Sequence, residues 1–472
     1  ICLRPGWFAM SQPPADDKKG ATTKNLEDQP WYHGFRPRRD VLRLITVPGE
    51  FLVRATSTDS NTEIVISAMD ENRKHVNLTL RCDENKNWCF GVLQQSSKAK
   101  DRFKNFKTIV ELVEYYRKHV LSKKLKLEKP IRRPEWLIKH EAITYNTEKD
   151  RLGAGNFCQV FKGTQKLADG ETRVVAVKIS SGAIEDKDAE KEKDARASMI
   201  HEAQLISFYT HDNVIQMYGV ACDHPPVIVV MEYCPGGDLL AHLTKNGKDI
   251  EVAEKTLYAL ESARGMAYLH LKNCIHRDLA ARNCLISDKG IIKISDFGMS
   301  RKTDEEHDGK DDCAQVPVRW MAPESLRPPF AFSTQSDIWS YGVLLFEIFG
   351  NGVKPWPNEP AKKVATYIRN GKMMEMPEGT PKQVKTLVEN SIWGGGEGDK
   401  RVSDPTKRPS FPNIVNTVVN VIRTMTLPPP EKLVLNRLPG VKRQAIAAVD
   451  ESSQDSDSGS GQEHTVDTPK TR

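Results

Sequence analysis

The sequence predicts an α+β protein with two globular parts: a small domain over residues 31–122 and a larger two-lobed unit over 140–425. Three observations carry this. In the first part, two helical patterns flank stretches of alternating apolar residues, as expected of a central antiparallel sheet between two helices. In the second part, strand signals come first and long helical patterns follow. Between them lies a basic, proline-marked linker over residues 123–139. A length of 472 residues leaves room for two or three domains. A hydrophobic share of 38% against 28% charged fits folded domains rather than a disordered chain.

Taken in order, residues 1–30 are rich in Pro, Asp, Lys and Thr and read as a flexible lead-in. The first helix of the small domain should follow Pro37, with Val41, Leu42 and Ile45 on a buried face. Phe51-Leu52-Val53 and Ile64-Val65-Ile66 read as sheet strands. The second helix is expected from Thr108 to Val120, with Ile109, Leu112, Val113 and Tyr116 on one stripe. Trp136, near the end of the linker, is expected to dock on the small lobe near the helix that carries Glu202. In the large unit Val160-Phe161 and Val174–Ile179 read as strands, and Asp337–Phe349 as a helix. The charged stretch Glu185–Arg196 and the stretch Gly394–Asp404 read as solvated loops. Residues 426–472 read as a disordered, acidic, Ser-rich tail.

Charge and cysteine usage narrow the function classes. Lys and Arg number 69 against 63 Asp and Glu, too thin an excess to argue for a nucleic-acid partner. No apolar run approaches the roughly 18 residues of a membrane helix. Nine cysteines, an odd count without a CxxC pair, read as reduced thiols in a cytoplasmic protein.

Chemistry concentrates in the second part. Gly153-Ala154-Gly155 and Val160 match a GxGxxGxV loop except at the third glycine, where Cys158 stands. Glycines there let backbone amides approach phosphates. Lys178 follows in the strand Ala176-Val177-Lys178, placed to pair with phosphates, and Glu202 on a predicted helix can orient it. Next come His276-Arg277-Asp278-Leu279-Ala280-Ala281-Arg282-Asn283, Asp296-Phe297-Gly298 and Ala322-Pro323-Glu324, in that order. Asp278 can accept a hydroxyl proton, while Asn283 and Asp296 can hold Mg2+ ions that bridge the phosphates of ATP.

These motifs resemble the protein-kinase family, in its tyrosine-specific form. Ala280-Ala281-Arg282 and Pro317-Val318-Arg319-Trp320 are similar to the catalytic and substrate loops of tyrosine kinases. The resemblance implies a tyrosine acceptor, with Arg282 reaching toward the phosphates and Pro317 and Trp320 in the substrate loop. It also implies that Leu152, Gly153, Ala154, Gly155, Val160 and Ala176 line the ATP site. Met231 would guard the rear of the adenine pocket, Glu232 to Cys234 would form the hinge, and Asp238 would lie near the ribose. Glu324 and Arg408 resemble the family's structural ion pair.

Trp31-Tyr32-His33-Gly34 and Phe51-Leu52-Val53-Arg54 resemble the Src homology 2 domain. An arginine on a buried strand needs an anionic partner, and a phosphate dianion suits its planar fork. The alternative is an internal salt bridge. The resemblance implies that Arg38, Thr56 and His75 line the same phosphotyrosine pocket. The order of modules, with Gly298-Met299-Ser300-Arg301 after the catalytic loop, resembles Fes/Fer-type non-receptor tyrosine kinases. Expected partners are therefore phosphotyrosine proteins and tyrosine-bearing protein substrates, with recruitment to the cell cortex or membrane through phosphorylated partners.

Two alternatives remain from the sequence, a non-catalytic scaffold and a serine/threonine kinase, and Arg282 and Pro317 oppose the second. A non-catalytic scaffold is opposed by the full set Lys178, Glu202, Asp278, Arg282, Asn283 and Asp296, while Cys158 stands in its favour. Between Asp296 and Glu324 there is no tyrosine to phosphorylate. Either Arg277 pairs with a nearby carboxylate such as Asp311 or Asp312, or the segment is an acidic loop of low basal activity.

Overall fold

The computed structural model describes residues 25–57, 62–91, 104–122, 124–154, 158–180, 189–207, 209–303, 317–394 and 404–444. Contacts gather the chain into two compact units. The first holds the residues up to Arg173 with Val177–His201 and Tyr218–Val230; the second holds Val174–Ala176, Glu202–Met217 and the chain from Met231 onward.

The first unit begins with a five-stranded sheet between two helices. Helix α1 is Arg38–Leu44, followed by strands β1 (Glu50–Ser57), β2 (Thr62–Met69), β3 (His75–Cys82) and β4 (Trp88–Phe90). Helix α2 is Ile109–Lys118, and a short strand β5 (Lys129–Pro130) completes the sheet in the order β4-β3-β2-β1-β5. Thr108 caps α2 by accepting the Glu111 N–H at 3.1 Å, which explains why the helix starts there. Strand alternation divides the core: Phe51 and Val53 pack with Ile109, Leu112 and Val113 of α2, whereas Leu52 packs with Val41 and Ile45 beside α1.

Three expectations need correction here. Leu42 is 37% exposed, because the short α1 turns Val41 and Leu44 to the sheet instead. Leu26 packs against the core and Leu26–Asp28 form a turn capped by Asn25, so the lead-in is folded from residue 25; residues 1–24 lie outside the described residues. Leu125 and Leu127 are buried in the same core, so the domain runs past residue 122 into the expected linker.

The rest of the linker joins the next sheet. Ile138 N–H donates to the Val220 carbonyl at 2.9 Å, and Val220 N–H donates to the Trp136 carbonyl at 2.7 Å. Trp136 thus docks on a small-lobe strand by its backbone, while its ring lies 5.3 Å from the Arg36 guanidinium. Around this seam Tyr32 Oη donates to the Asp223 carbonyl at 3.0 Å, Arg133 pairs with the Asp223 carboxylate, and Phe35 N–H donates to the Cys222 carbonyl at 2.8 Å. Gly34 has φ +60°, and a Cβ there would fall 2.1 Å from the Cys222 oxygen, so only glycine fits. Burial and the neighbouring Arg36 press His33 down to about 3. It stays neutral, with its ring between Arg36 and the Ile131 carbonyl.

The small lobe contributes β6 (Ile143–Tyr145), β7 (Arg151–Ala154), β8 (Cys158–Lys166), β9 (Thr172–Ser180), helix α3 (Ala189–Ile206), β10 (Met217–Ala221) and β11 (Ile228–Glu232). The sheet order is β10-β11-β9-β8-β6, with β7 paired to β8. Helix α3 begins inside the stretch expected to be a solvated loop, because its run of Ala, Glu and Lys consists of strong helix formers.

The second unit is largely helical. It contains α4 (Leu239–Asn246), α5 (Val252–Leu271), β12 (Cys274–Ile275), β13 (Cys284–Ile286), β14 (Ile292–Ile294), β15 (Arg301–Lys302), α6 (Thr334–Phe349), α7 (Ala361–Arg369), α8 (Lys382–Thr386) and α9 (Phe411–Arg423). Strands β13 and β14 form a hairpin, and β12 pairs with β15. Helix α6 is buried nearly all round and supports the loops described below. The expected disordered tail holds only in part. Residues 426–444 lie folded on the lobe, with Leu433, Val434, Leu435 and Val441 buried, whereas 445–472 fall outside the described residues.

Candidate functional site

The chemistry-bearing loop of the second unit is built by helix α6. The buried Asp337 accepts the His276 N–H at 2.8 Å on one oxygen and the Arg277 N–H at 2.9 Å on the other. Two backbone donors fix the loop entry, with Arg277 at φ 70°. His276 Nε2 lies 3.0 Å from the Ser295 carbonyl, which makes it the donor and leaves Nδ1 to accept the Asp278 N–H at 3.3 Å.

Asp278 is held at both carboxylate oxygens. Arg282 pairs with Oδ1, and the Asn283 amide donates to Oδ2 at 2.8 Å and to the Asp278 carbonyl at 2.7 Å. Burial raises its carboxyl above the usual range, opposed by Arg282 and His276. The Arg282 guanidinium also lies 4.5 Å from the Trp320 ring centroid, bringing together the expected catalytic and substrate loops. Pro317 is half-buried at the start of the turn Val318–Trp320.

Asp296 is exposed, with φ 62°, at the open end of the β13–β14 hairpin, the same end as Asn283. The hairpin ends are tied together: Ser295 N–H donates to the Asn283 carbonyl at 2.8 Å and its hydroxyl does so at 3.0 Å. Glu202, buried at the end of α3, accepts the Phe297 N–H at 3.3 Å. Glu324 and Arg408 form a two-pronged pair at 2.6 and 3.0 Å, as expected. Sequence reasoning missed Glu347, which bridges the two loops from α6. Its available signal was a carboxylate inside the apolar run Leu344-Leu345-Phe346-Glu347-Ile348.

The residues expected around the nucleotide fall on both units. In the first, Gly153 pairs with Val160 across a bulged β7–β8 ladder, Leu152 is exposed, and a Cβ on Gly153 would meet nothing within 4 Å. Gly155 lies outside the described residues, and Cys158 opens β8 half-buried. Lys178 is half-buried on β9. In the second unit Ala176 and Cys234 are buried, and Met231 and Glu232 are half-buried. Asp238 caps α4 by accepting the Ala241 N–H at 2.8 Å. Arg277 lies 3.9 Å from the Phe332 ring; its expected partners, Asp311 and Asp312, are outside the described residues.

A second charged site occupies the α1 face of the five-stranded sheet. Arg54 is 6% exposed and donates Nε to Ser67 Oγ at 3.2 Å, while Ser67 donates to Asn77 at 2.7 Å. Burial, and then the nearby Arg38, lower the Arg54 pKa. Among the described residues Arg54 has no ion pair, and its charged neighbour Arg38 repels it, which argues against the internal salt bridge. His75 is anchored through Nε2 to the Ile45 carbonyl at 2.8 Å, and Thr56 is half-buried near the end of β1. Ser67 and Asn77 were not foreseen, because only the sheet register brings them beside Arg54.

Residues 147–418 match the protein tyrosine and serine/threonine kinase family, and residues 31–116 match the SH2 domain. The chain is 34% identical over 390 residues to Fer-related kinase 1 of Caenorhabditis elegans, covering 80% of this chain and 92% of that protein. It is 31% identical over 423 residues to tyrosine-protein kinase Fer of Homo sapiens, covering 89% and 47%. To the transforming protein Fps of an avian sarcoma virus it is 32% identical over 411 residues, covering 85% and 69%. The chain therefore spans most of the worm relative and about half of the human one.

Proposed function

The chain belongs to the protein tyrosine kinase family, as a Fer/Fps-type non-receptor enzyme with an SH2 domain, and we propose that Asp278 is the proton acceptor for its tyrosine substrates. The observation that carries this is the grip on Asp278: one oxygen on Arg282, the other on Asn283, in a loop pinned by Asp337. Held this way, and raised by burial, the carboxylate is oriented and more basic than an exposed one. Arg282 steadies the loop against Trp320, and the substrate phenol enters beside that ring.

Asn283 and Asp296, side by side at the tied open end of one hairpin, are a fitting donor pair for a hard cation. When bound with ATP, Mg2+ would neutralise charge on the transferring phosphoryl group. Leu152, Gly153, Ala154, Gly155, Val160, Ala176, Lys178, Met231, Glu232, Cys234 and Asp238 are the proposed nucleotide residues. Glu202 holds the Phe297 backbone and so supports the segment that follows Asp296.

In this reading Arg54, Arg38, Thr56 and His75 bind phosphotyrosine, with Ser67 orienting Arg54. Phosphorylated proteins are then the partners that bring the enzyme to its substrates, in the cytoplasm and at the cell cortex. The test is incubation of purified protein with ATP, Mg2+ and a pool of random peptides bearing tyrosine or serine. Phosphotyrosine that disappears when Mg2+ is chelated is expected; phosphoserine as the product would overturn the reading.

A further inference from the structure

Beyond the residues that match the kinase family, which end at 418, the chain returns as a strap across the large lobe. Two buried carboxylates on α5 receive it. Glu254 accepts the Val434 and Leu435 N–H groups at 3.0 and 3.1 Å. Glu261 accepts the Arg443 guanidinium on Oε1 at 2.6 Å and, on Oε2, the Ile292 N–H of β14 at 2.9 Å. Arg443 reaches further, donating to the Gly290 carbonyl in the β13–β14 turn at 2.9 Å. Lys442 N–H donates to the Asp288 carbonyl at 2.7 Å, and Asn436 closes the strap on itself through the Arg443 backbone.

The turn is shaped for this strap. A Cβ on Gly290 would lie 2.5 Å from Leu435 and 3.0 Å from Arg443. Without the strap, of these bonds Glu254 would keep only the Tyr258 hydroxyl, at 2.7 Å, and Glu261 only the Ile292 N–H. The same Glu261 side chain therefore bonds the strap and the hairpin at once.

We propose that residues 430–444 form a positioning strap, in which Arg443, acting through Glu261 and the Gly290 carbonyl, sets the β13–β14 hairpin and with it Asn283 and Asp296. Asn283 directly precedes β13, and Asp296 follows β14 after one residue, so a rotation of the hairpin moves both side chains. The inference rests on the reading of those two residues as the Mg2+ ligands. Arg443 touches neither substrate nor metal; its role is to hold the frame.

The experiment compares full-length wild type with Arg443→Met, Arg443→Lys and Leu435→Ala. Leu435→Ala loosens strap packing but keeps the ion pair. Calorimetry measures the affinity of a non-hydrolysable ATP analogue with and without Mg2+, alongside melting temperature and the Mg2+ requirement of peptide phosphorylation. Arg443→Met should weaken analogue binding several-fold with Mg2+ and leave it unchanged without Mg2+. Arg443→Lys should recover part of the loss, and Leu435→Ala should lower the melting temperature alone. An Arg443→Met variant that melts lower yet keeps the wild-type Mg2+ dependence would overturn the strap's role. So would an equal Mg2+ effect in Leu435→Ala. If wild type itself binds the analogue equally with and without Mg2+, the ligand assignment fails first, which separates the two claims.

Discussion

Glu347 takes two hydrogen bonds on one carboxylate oxygen, from the Ala281 backbone N–H at 2.9 Å and from the Trp320 indole N–H at 3.0 Å. One side chain of α6 thereby joins the loop that carries Asp278 to the turn that carries Trp320. Burial pushes its carboxyl from 4.5 up to about 7, and the bonds from Trp320 and Ala281 only partly oppose this. With the folded pKa raised, the stability Glu347 contributes is full below about 4.5 and is lost as pH rises to about 7. Glu347→Gln removes this dependence while keeping an acceptor oxygen. Between pH 5 and 8 the melting temperature of the variant should gain on wild type by on the order of a few degrees. A difference that stays constant with pH contradicts the assignment.

Arg54→Leu should abolish binding of phosphotyrosine peptides, a loss of about 2–5 kcal/mol as expected when a buried charged pair loses one member. Phosphorylation of small free peptides should continue at the wild-type rate. Calorimetry showing unchanged phosphopeptide affinity would place the pocket elsewhere.

Trp136→Ala should lower the melting temperature and change specific activity, although neither site is touched. Its ring faces Arg36, and such a contact contributes about 0.5–2 kcal/mol. Its backbone meanwhile ties the linker to β10 through Val220. Equal melting and equal activity would make it an ordinary linker residue.

The segment from Asp296 to Glu324 lacks tyrosine, so its opening should not depend on phosphorylation of that residue type. Phosphatase-treated and untreated enzyme should give the same initial rate, with no lag after ATP is added. A clear lag contradicts this, as does a rate indifferent to replacing Asp311 and Asp312 by Asn if their pairing with Arg277 is what holds the segment.

The parts legible in the sequence are those whose chemistry is contiguous. His276 to Asn283 and Asp296 to Gly298 carry their roles in local spacing, and Arg54 announces itself as a charge within Phe51-Leu52-Val53. What stayed hidden depends on long-range packing. Glu347 meets Ala281 and Trp320 only because α6 runs beneath both loops. The strap was concealed by Pro428-Pro429-Pro430, which reads as the end of structure, and by apolar residues too sparse to show a period. Leu125 and Leu127 are hidden in a lysine-rich stretch in which Lys124 and Lys129 are exposed.

Asp278→Asn tests the central claim most directly. The substitution keeps the shape of the side chain and removes the proton acceptor. Nucleotide affinity should remain close to wild type while the rate of tyrosine phosphorylation falls by a factor on the order of 10² or more. Unchanged turnover with unchanged nucleotide binding would mean that another group takes the proton.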